Sequence, residues 1–343
     1  MRMKFCCWLT LMPFVLGTTG CGSFIARRMA QAPNTYPSWL APVAPVTLAF
    51  ADNLITNFPA HFVEVGPPAA KLRYRIVEPA DYHFSYSSTN WMRRCRAQFK
   101  FSMHADWPAK SNAWTASPRG TVVLLHGYGV AQFAMAPWAL RLAQEGWRCV
   151  LVDLRGHGKS TGRQIFFGVR EVDDLSQLLD ALARDGQLVR PVGAMGESYG
   201  AALALRWKAV EARVDRVVAI APYANLSNAV LNISHEYAGW FPPCLLKAGL
   251  RKLPSVLNVE AKQLDTATAL SASPVAALFV AAKDDRITPL ADVLELQHVA
   301  ASGSQLVEVS GATHEAVTYC FTELTQPVLA WLAGGGKPAS GEP

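Results

Sequence analysis

The segment Val192-Gly193-Ala194-Met195-Gly196-Glu197-Ser198-Tyr199-Gly200-Ala201-Ala202 constrains this chain more than any other. A short apolar run closes on G-x-S-x-G, and an Ala/Leu-rich stretch from Ala201 to Val210 follows at once. The order reads as buried strand, sharp turn, serine, helix. Side chains at Gly196 and Gly200 would crowd the place where strand and helix approach each other. Such a turn lifts the Ser198 hydroxyl clear of a sheet edge and sets a helix N-terminus beneath it, the placement a nucleophilic serine needs. A five-residue motif also arises by accident, so its meaning depends on what the remaining chain supplies.

The surroundings supply an α/β pattern. Thr121–Leu125, Cys149–Val152, Val214–Ile220, Val275–Ala282 and Gln305–Val309 are apolar runs of strand length. Ala134–Glu145, Glu171–Arg184, Pro289–Val299 and Ala316–Leu332 read as the helices between and after them. Over Glu171–Arg184, Val172, Leu175, Leu178, Leu179 and Leu182 share one helical face. Strands alternating with helices predict a mostly parallel, doubly wound sheet buried on both faces. Earlier in the chain, Leu72, Tyr74, Ile76, Tyr82, Phe84, Tyr86, Phe99 and Phe101 recur with period two, which predicts antiparallel strands opening that sheet. Pro222–Ser273 interrupts the pattern with apolar helical fragments at Leu226–Tyr237 and Leu245–Leu253. An excursion of that length, leaving the carboxyl end of a strand, predicts a lid over a ligand site.

Half of the residues are hydrophobic (51%) and 17% are charged, enough for a large core and too apolar for disorder. The formal net charge is +6, and about +4 (6 − 2) once Arg2 and Lys4 are set aside. No basic stripe or RNA-binding aromatic motif accompanies it, so nucleic acid is not an expected partner. No His/Cys/Asp cluster has metal-ligand spacing, and no metal is expected.

The chain opens with Arg2 and Lys4, then an apolar run from Phe5 to Gly17, then Thr18-Thr19-Gly20-Cys21. The run is short for a bilayer span, and this layout predicts an export signal. The ending resembles a bacterial lipoprotein cleavage site, with Cys21 as the lipidated residue, although Thr18 stands where Leu is usual; an ordinary signal peptide cut nearby is the alternative. Either way an exported chain is expected, and with Cys21 acylated it is anchored to a bacterial membrane. Cys95, Cys149, Cys244 and Cys320 then remain, with three possible pairings.

A serine nucleophile needs a base, a group that orients the base, and donors for the oxyanion. In the order Ser, Asp, His, the chain offers Ser198, then Asp284 or Asp285 after Val275–Ala282, then His314 after Gln305–Val309. All three fall at carboxyl ends of strands. The expected oxyanion donors are the backbone N–H groups of Tyr199 and of Tyr128 in His126-Gly127-Tyr128-Gly129, with His126 shaping that turn.

Together, His126-Gly127-Tyr128-Gly129, Asp153-Leu154-Arg155-Gly156-His157-Gly158-Lys159-Ser160, Gly196-Glu197-Ser198-Tyr199-Gly200, Asp285 and Gly311-Ala312-Thr313-His314 resemble the α/β-hydrolase family over roughly residues 70 to 335. The second motif is similar to the loop of the monoacylglycerol-lipase and serine-aminopeptidase-like branch. The resemblance implies an α/β-hydrolase fold with a helical lid, and carboxylester hydrolysis through an acyl-enzyme without a cofactor. In that family the Asp stands four residues before a Pro, which selects Asp285, four before Pro289, over Asp284. Arg155 and His157 are expected to shape their loop, and Glu197 and Tyr199 occupy variable positions. The apolar lid implies a small-molecule ester with an apolar acyl group. A peptidase or acyltransferase on the same triad, and a non-catalytic membrane-anchored binding protein on this scaffold, are the competing functions. The expected division is a signal peptide over 1–20, a tether and surface-packing segment over 21–68, a hydrolase domain over 69–335 with its lid over 222–273, and a disordered tail over 336–343.

Overall fold

A strand such as Thr121–Leu125, buried along its whole length, exists only where helices cover both faces of its sheet. The computed structural model, which describes residues 20–35, 46–50, 55–93, 96–106, 117–239 and 241–334, builds that sheet. Residues 1–19 of the signal peptide expected over 1–20, the tail over 336–343 and Cys95 lie outside the described residues.

In chain order the elements are α1 (Cys21–Ala30), β1 (Val46–Phe50), β2 (Ala60–Val65), β3 (Ala70–Val77), β4 (His83–Arg93), β5 (Arg96–Asp106), β6 (Thr121–Leu125), α2 (Ala136–Gln144), β7 (Arg148–Asp153), α3 (Glu171–Arg184), β8 (Val192–Glu197), α4 (Tyr199–Val210), β9 (Val214–Ile220), α5 (Leu226–Tyr237), α6 (Pro243–Leu257), α7 (Thr266–Ala272), β10 (Leu278–Ala282), α8 (Leu290–Val299), β11 (Gln305–Val309) and α9 (Phe321–Leu332). Eight strands form one sheet in the order β11-β10-β9-β8-β6-β7-β3-β2. β6 to β11 pair in parallel, while β3 runs antiparallel to both β2 and β7. Apolar side chains fill both faces, with Leu125, Val152, Ala194 and Phe279 on one and Leu124, Leu151, Met195 and Val280 on the other.

The period-two stretch divides between two sheets rather than opening one. β3 joins the large sheet, whereas β4 and β5 form a hairpin in a three-stranded sheet, β1-β5-β4. Periodicity marks which face of a strand is apolar and carries no information about its partner. The face of this small sheet packs on the end of the chain: Phe101 stacks on Tyr319 at 4.7 Å, and Tyr86 lies 5.2 Å from Phe321.

The excursion between β9 and β10 carries α5, α6 and α7. Its two ends are tied together at the base. The Thr266 and Ala267 N–H groups donate to the Ala224 carbonyl at 2.9 and 3.1 Å, and Asn225 Nδ2 donates to Asp265 Oδ1 at 2.8 Å. α6 extends beyond the apolar fragment read from sequence, running through Pro254 to Leu257.

α1 is not legible in the sequence, because a ten-residue segment is marginal as an isolated helix. It persists by packing. A Cβ on Gly22 would stand 2.8 Å from the Ala248 carbonyl oxygen, and one on Gly249 would stand 2.5 Å from Ile25 Cγ2, so the two glycines let α1 and α6 approach closely. After α1, the Ala32 N–H donates to the Arg163 carbonyl at 3.1 Å, and Asn34 Nδ2 donates to the Ser160 carbonyl at 2.8 Å. Residues 21–35 therefore strap the lid helix α6 to the loop over 153–165. Among the described residues no helix is long and apolar enough to cross a membrane, and Cys21, Cys149, Cys244 and Cys320 are free thiols.

Candidate active site

Parallel pairing places the chemistry on one edge. Glu197 is level with Ile220, Ile220 with Val280, and Ala282 with Val309. Whatever follows these residues projects from the carboxyl edge of the sheet. Ser198, Asp285 and His314 do so from β8, β10 and β11.

The turn at Ser198 is as tight as its glycines imply. A Cβ on Gly196 would lie 2.2 Å from the Gly200 carbonyl oxygen, and one on Gly200 would lie 2.2 Å from that of Leu125. Ser198 itself sits at φ 49°, ψ −111°, a region L-residues rarely occupy. Its N–H donates to the Ile220 carbonyl at 2.8 Å, and its own carbonyl accepts the first bonds of α4, from Ala201 and Ala202. The surrounding hydrogen bonds thereby hold a strained residue in place.

His314 Nε2 lies 2.9 Å from Ser198 Oγ, and His314 Nδ1 lies 2.8 Å from Asp285 Oδ2. Asp285 is buried and further held by the Ile287 and Thr288 N–H groups, which donate to Oδ1 at 2.7 and 2.8 Å, and by the Thr288 hydroxyl 2.8 Å from Oδ2. Burial opposes ionisation, but the His314 charge and these donated bonds outweigh it and hold the carboxyl below its ordinary value. Asp284, its neighbour, is exposed.

The other side of Ser198 is formed by the loop after β6. Glu197 Oε1 accepts the Gly127 N–H at 3.1 Å, and burial raises the carboxyl, against bonds from Thr318 and Gly127. His126 donates from Nδ1 to the Gly127 carbonyl (2.7 Å) and accepts the Leu154 N–H at Nε2 (3.1 Å). With both nitrogens so used, its burial pushes it down to about 4 and it acts as a neutral strut. Tyr128 and Tyr199 meet edge to face at 6.5 Å. Tyr199 is the first residue of α4, where a backbone N–H has no intrahelical acceptor.

His157 joins these groups. Its ring stacks on Tyr199 at 5.8 Å and meets Tyr128 edge-on at 5.8 Å and His126 at 5.1 Å. Nδ1 donates to the Arg155 carbonyl at 2.9 Å, while Nε2 is buried without a partner among the described residues. Burial, then the neighbouring His126, pushes it down to about 3. The loop that presents it closes on Asp153, which accepts the Gln132 and Lys159 N–H groups at 2.9 and 3.0 Å. Beneath the loop, Arg155 and Asp174 form a buried two-bond pair at 2.6 and 2.7 Å. Glu171, also buried, accepts the Phe166 and Gly168 N–H groups.

α5 borders the site from above. Asn232 Nδ2 donates to the Ile287 carbonyl at 3.0 Å, and Glu236 stands 4.0 Å from Arg286. Glu315, next to His314, is pushed up to about 7 by burial and by the Glu236 charge. A cavity of about 170 Å³ lies behind α5, lined by Leu226, Leu250, Leu253, Pro254 and Leu264 among others.

The structure thus brings together Ser198, His314 and Asp285, and places Tyr128 and Tyr199 beside them. Sequence reasoning missed Glu197, which it treated as a variable position. The available signal was a charged residue ending a run of small and apolar ones, because a buried carboxylate needs donors. Thr288 and Glu171 gave no signal of their own. Among the described residues no group of three or more His, Cys, Asp or Glu side chains is placed to hold a metal ion.

Comparison with known proteins agrees with this architecture. Residues 116–267 match the model of the serine aminopeptidase, S33 family (Hydrolase_4), a span that includes Ser198 and ends before Asp285 and His314. The chain is 23% identical over 181 residues to the uncharacterized protein YqkD of Bacillus subtilis (strain 168), a match covering 51% of this chain and 58% of that protein. The chain therefore spans little more than half the length of this relative. The Pyrococcus furiosus esterase Pf2001 superposes with a TM-score of 0.57 at 19% identity, over 85% of this chain and 99% of that one. A hydrolase from Pseudomonas aeruginosa PA01 does so with a TM-score of 0.51 at 20% identity, over 80% and 98%. At these identities the likeness establishes the architecture: the chain has the α/β-hydrolase fold, with a mostly parallel eight-stranded sheet.

Proposed function

We propose that this protein is a serine hydrolase that cleaves carboxylic esters through an acyl-enzyme on Ser198. One observation carries the reading: an unbroken hydrogen-bonded line from Ser198 Oγ through both His314 nitrogens to Asp285. Ser198 Oγ attacks the ester carbonyl carbon while His314 Nε2 takes its proton. Asp285 holds the imidazole with Nδ1 protonated and balances the imidazolium. The tetrahedral oxyanion accepts from the Tyr128 and Tyr199 backbone N–H groups. Collapse expels the alkoxide, which leaves with the His314 proton as an alcohol. Water then repeats the sequence on the acyl-enzyme and releases the acid, with no cofactor. The esterase neighbours favour an ester, and the apolar lid favours an apolar acyl group.

A second reading, favoured by the serine aminopeptidase description of the matching family model, keeps the acyl-enzyme and changes the leaving group to an amine. An acyltransferase would change the acceptor in the second half-reaction. Turnover of p-nitrophenyl butyrate against aminoacyl p-nitroanilides by the purified chain separates ester from amide, and fluorophosphonate labelling reports Ser198. Absence of both turnover and Ser198-dependent labelling in a folded protein sinks the catalytic reading and leaves a binding protein on this scaffold.

The same reading has the chain exported by its first 20 residues and held at a bacterial membrane through acylated Cys21. Incorporation of labelled palmitate, lost in Cys21→Ser, is the test.

A further inference from the structure

The helices α1 and α6 present a face that nothing in the fold explains. Their sequences, CGSFIARRMA and PCLLKAGLRKLPSVL, contain five cations and no Asp or Glu. The packing described above turns Ala26 and Ala30 of α1, and Gly249, Leu253 and Leu257 of α6, inward. Cys21, Phe24 and Arg27 of α1 and Lys247, Arg251 and Lys252 of α6 remain exposed. The aliphatic stem of Lys252 lies against Gly22, 3.4 Å from where its Cβ would be, so a cation of α6 sits beside Cys21.

Elsewhere many surface cations are paired, as Lys71 is with Glu64, Arg213 with Asp180 and Lys262 with Glu260. Among the described residues Arg27, Lys247, Arg251 and Lys252 make no ion pair. Lys247 and Arg251 are four apart on one helix and repel each other. Phe24 adds a large apolar side chain, 58% exposed, three residues before Arg27. Water solvates the cations but not the Phe24 ring. A negatively charged surface with an apolar layer beneath it attracts the cations and buries the ring at once. In the membrane-held reading Cys21, the first residue of α1, carries the lipid, so the bilayer would lie at this end of the helix pair.

We infer that the exposed face of α1 and α6 docks on an anionic phospholipid bilayer, with Phe24 entering the headgroup layer and the four cations meeting lipid phosphates. The inference rests on the membrane-held reading above and adds a protein surface that sets how the chain lies on the bilayer. It also gives the strap a purpose. α6 lies against the bilayer, α5 packs on α6 and is bonded through Asn232 to Ile287, two residues after Asp285, and residues 21–35 hold α6 to the loop over 153–165. The lid would thus face membrane-borne esters without being free to swing away.

The test is co-sedimentation of the intact chain with phosphatidylcholine vesicles, with and without phosphatidylglycerol, at low and high salt. Wild type should prefer the anionic vesicles and lose the preference at high salt. The variant Lys247→Gln/Arg251→Gln/Lys252→Gln should bind them about a hundredfold more weakly, at about fivefold per surface cation. Its turnover of soluble p-nitrophenyl esters should be unchanged. Phe24→Ser should weaken vesicle binding about tenfold and leave retention on heparin unchanged. Were the triple variant to unfold, Lys247→Gln alone should still show its fivefold loss. Equal binding to neutral and anionic vesicles, or an unchanged triple variant, overturns the proposal. So does Phe24→Ser binding vesicles like wild type while the cations govern heparin, since the face would then be a generic polyanion patch. Palmitate incorporation reports the anchor independently: anionic preference without acylation leaves the docking face standing, and acylation without preference removes it.

Discussion

The Glu197 carboxylate, one residue before Ser198, accepts the Gly127 N–H at 3.1 Å and so joins the turn at Ser198 to the loop that carries Tyr128. The bond spans 70 positions of sequence and ties together the two segments that carry the proposed oxyanion donors. Glu197→Ala would leave the Gly127 N–H unpartnered and the loop unpinned. We expect kcat to fall about tenfold to a hundredfold, the scale of losing one oxyanion donor, with KM nearly unchanged. Glu197→Gln keeps an acceptor and should recover most of the loss in the same steady-state assay.

The proposed chemistry makes Ser198, His314 and Asp285 one unit. Ser198→Ala and His314→Ala should each lower kcat by roughly 10⁴ to 10⁶, and the double variant should be no worse than either. Asp285→Asn should cost about 10⁴ by favouring the wrong imidazole tautomer. Multiplying losses in the double variant would refute the unit.

Gly200→Ala tests the turn itself. The added methyl meets the Leu125 carbonyl oxygen at 2.2 Å, where neither strand nor helix can yield. A loss of more than about 4 kcal/mol of stability, or failure to fold, is expected in urea denaturation. Wild-type stability would show that the turn relaxes.

Acid should unfold the protein through its buried histidines. His126 and His157 are held at about 4 and about 3, below their ordinary 6.5, by burial. The unfolded chain binds their protons first, so their contribution is present above pH 6.5 and lost as pH falls toward 4 and then 3. His157→Phe, which keeps a ring against Tyr199, should narrow the gap between melting temperatures measured at acid and neutral pH.

Glu315 should act in the opposite direction. Burial and Glu236 raise it from 4.5 to about 7, so the stability it contributes is full below pH 4.5 and lost as pH rises through 7. Glu315→Gln should raise the melting temperature above pH 7 and change it little below pH 4.5. The same increment at both pH values would show that its charge is not the cause.

Much of the site is written locally. Gly196 and Gly200 are needed because of atoms a few residues or one strand away, and the apolar runs of β6 to β10 declare burial on both faces by composition alone. The partner of a strand is not local. Phe84 and Phe101 share the periodicity of Leu72 and Ile76, yet the first two belong to the small sheet and the others to the large one. Glu197 was invisible as a contact for the same reason, since its donor lies in another loop.

The sequence by itself determined the turn at Ser198, the chain order of serine, aspartate and histidine at strand ends, and the alternating α/β plan, because sterics and periodicity act between near neighbours. The tertiary structure decided that His314 meets Asp285 and not the exposed Asp284, that Glu197 and His157 brace the two loops around Ser198, and that residues 21–35 form a strap on the lid. Those contacts depend on how strands align and helices pack across the fold, and no short segment encodes that alignment.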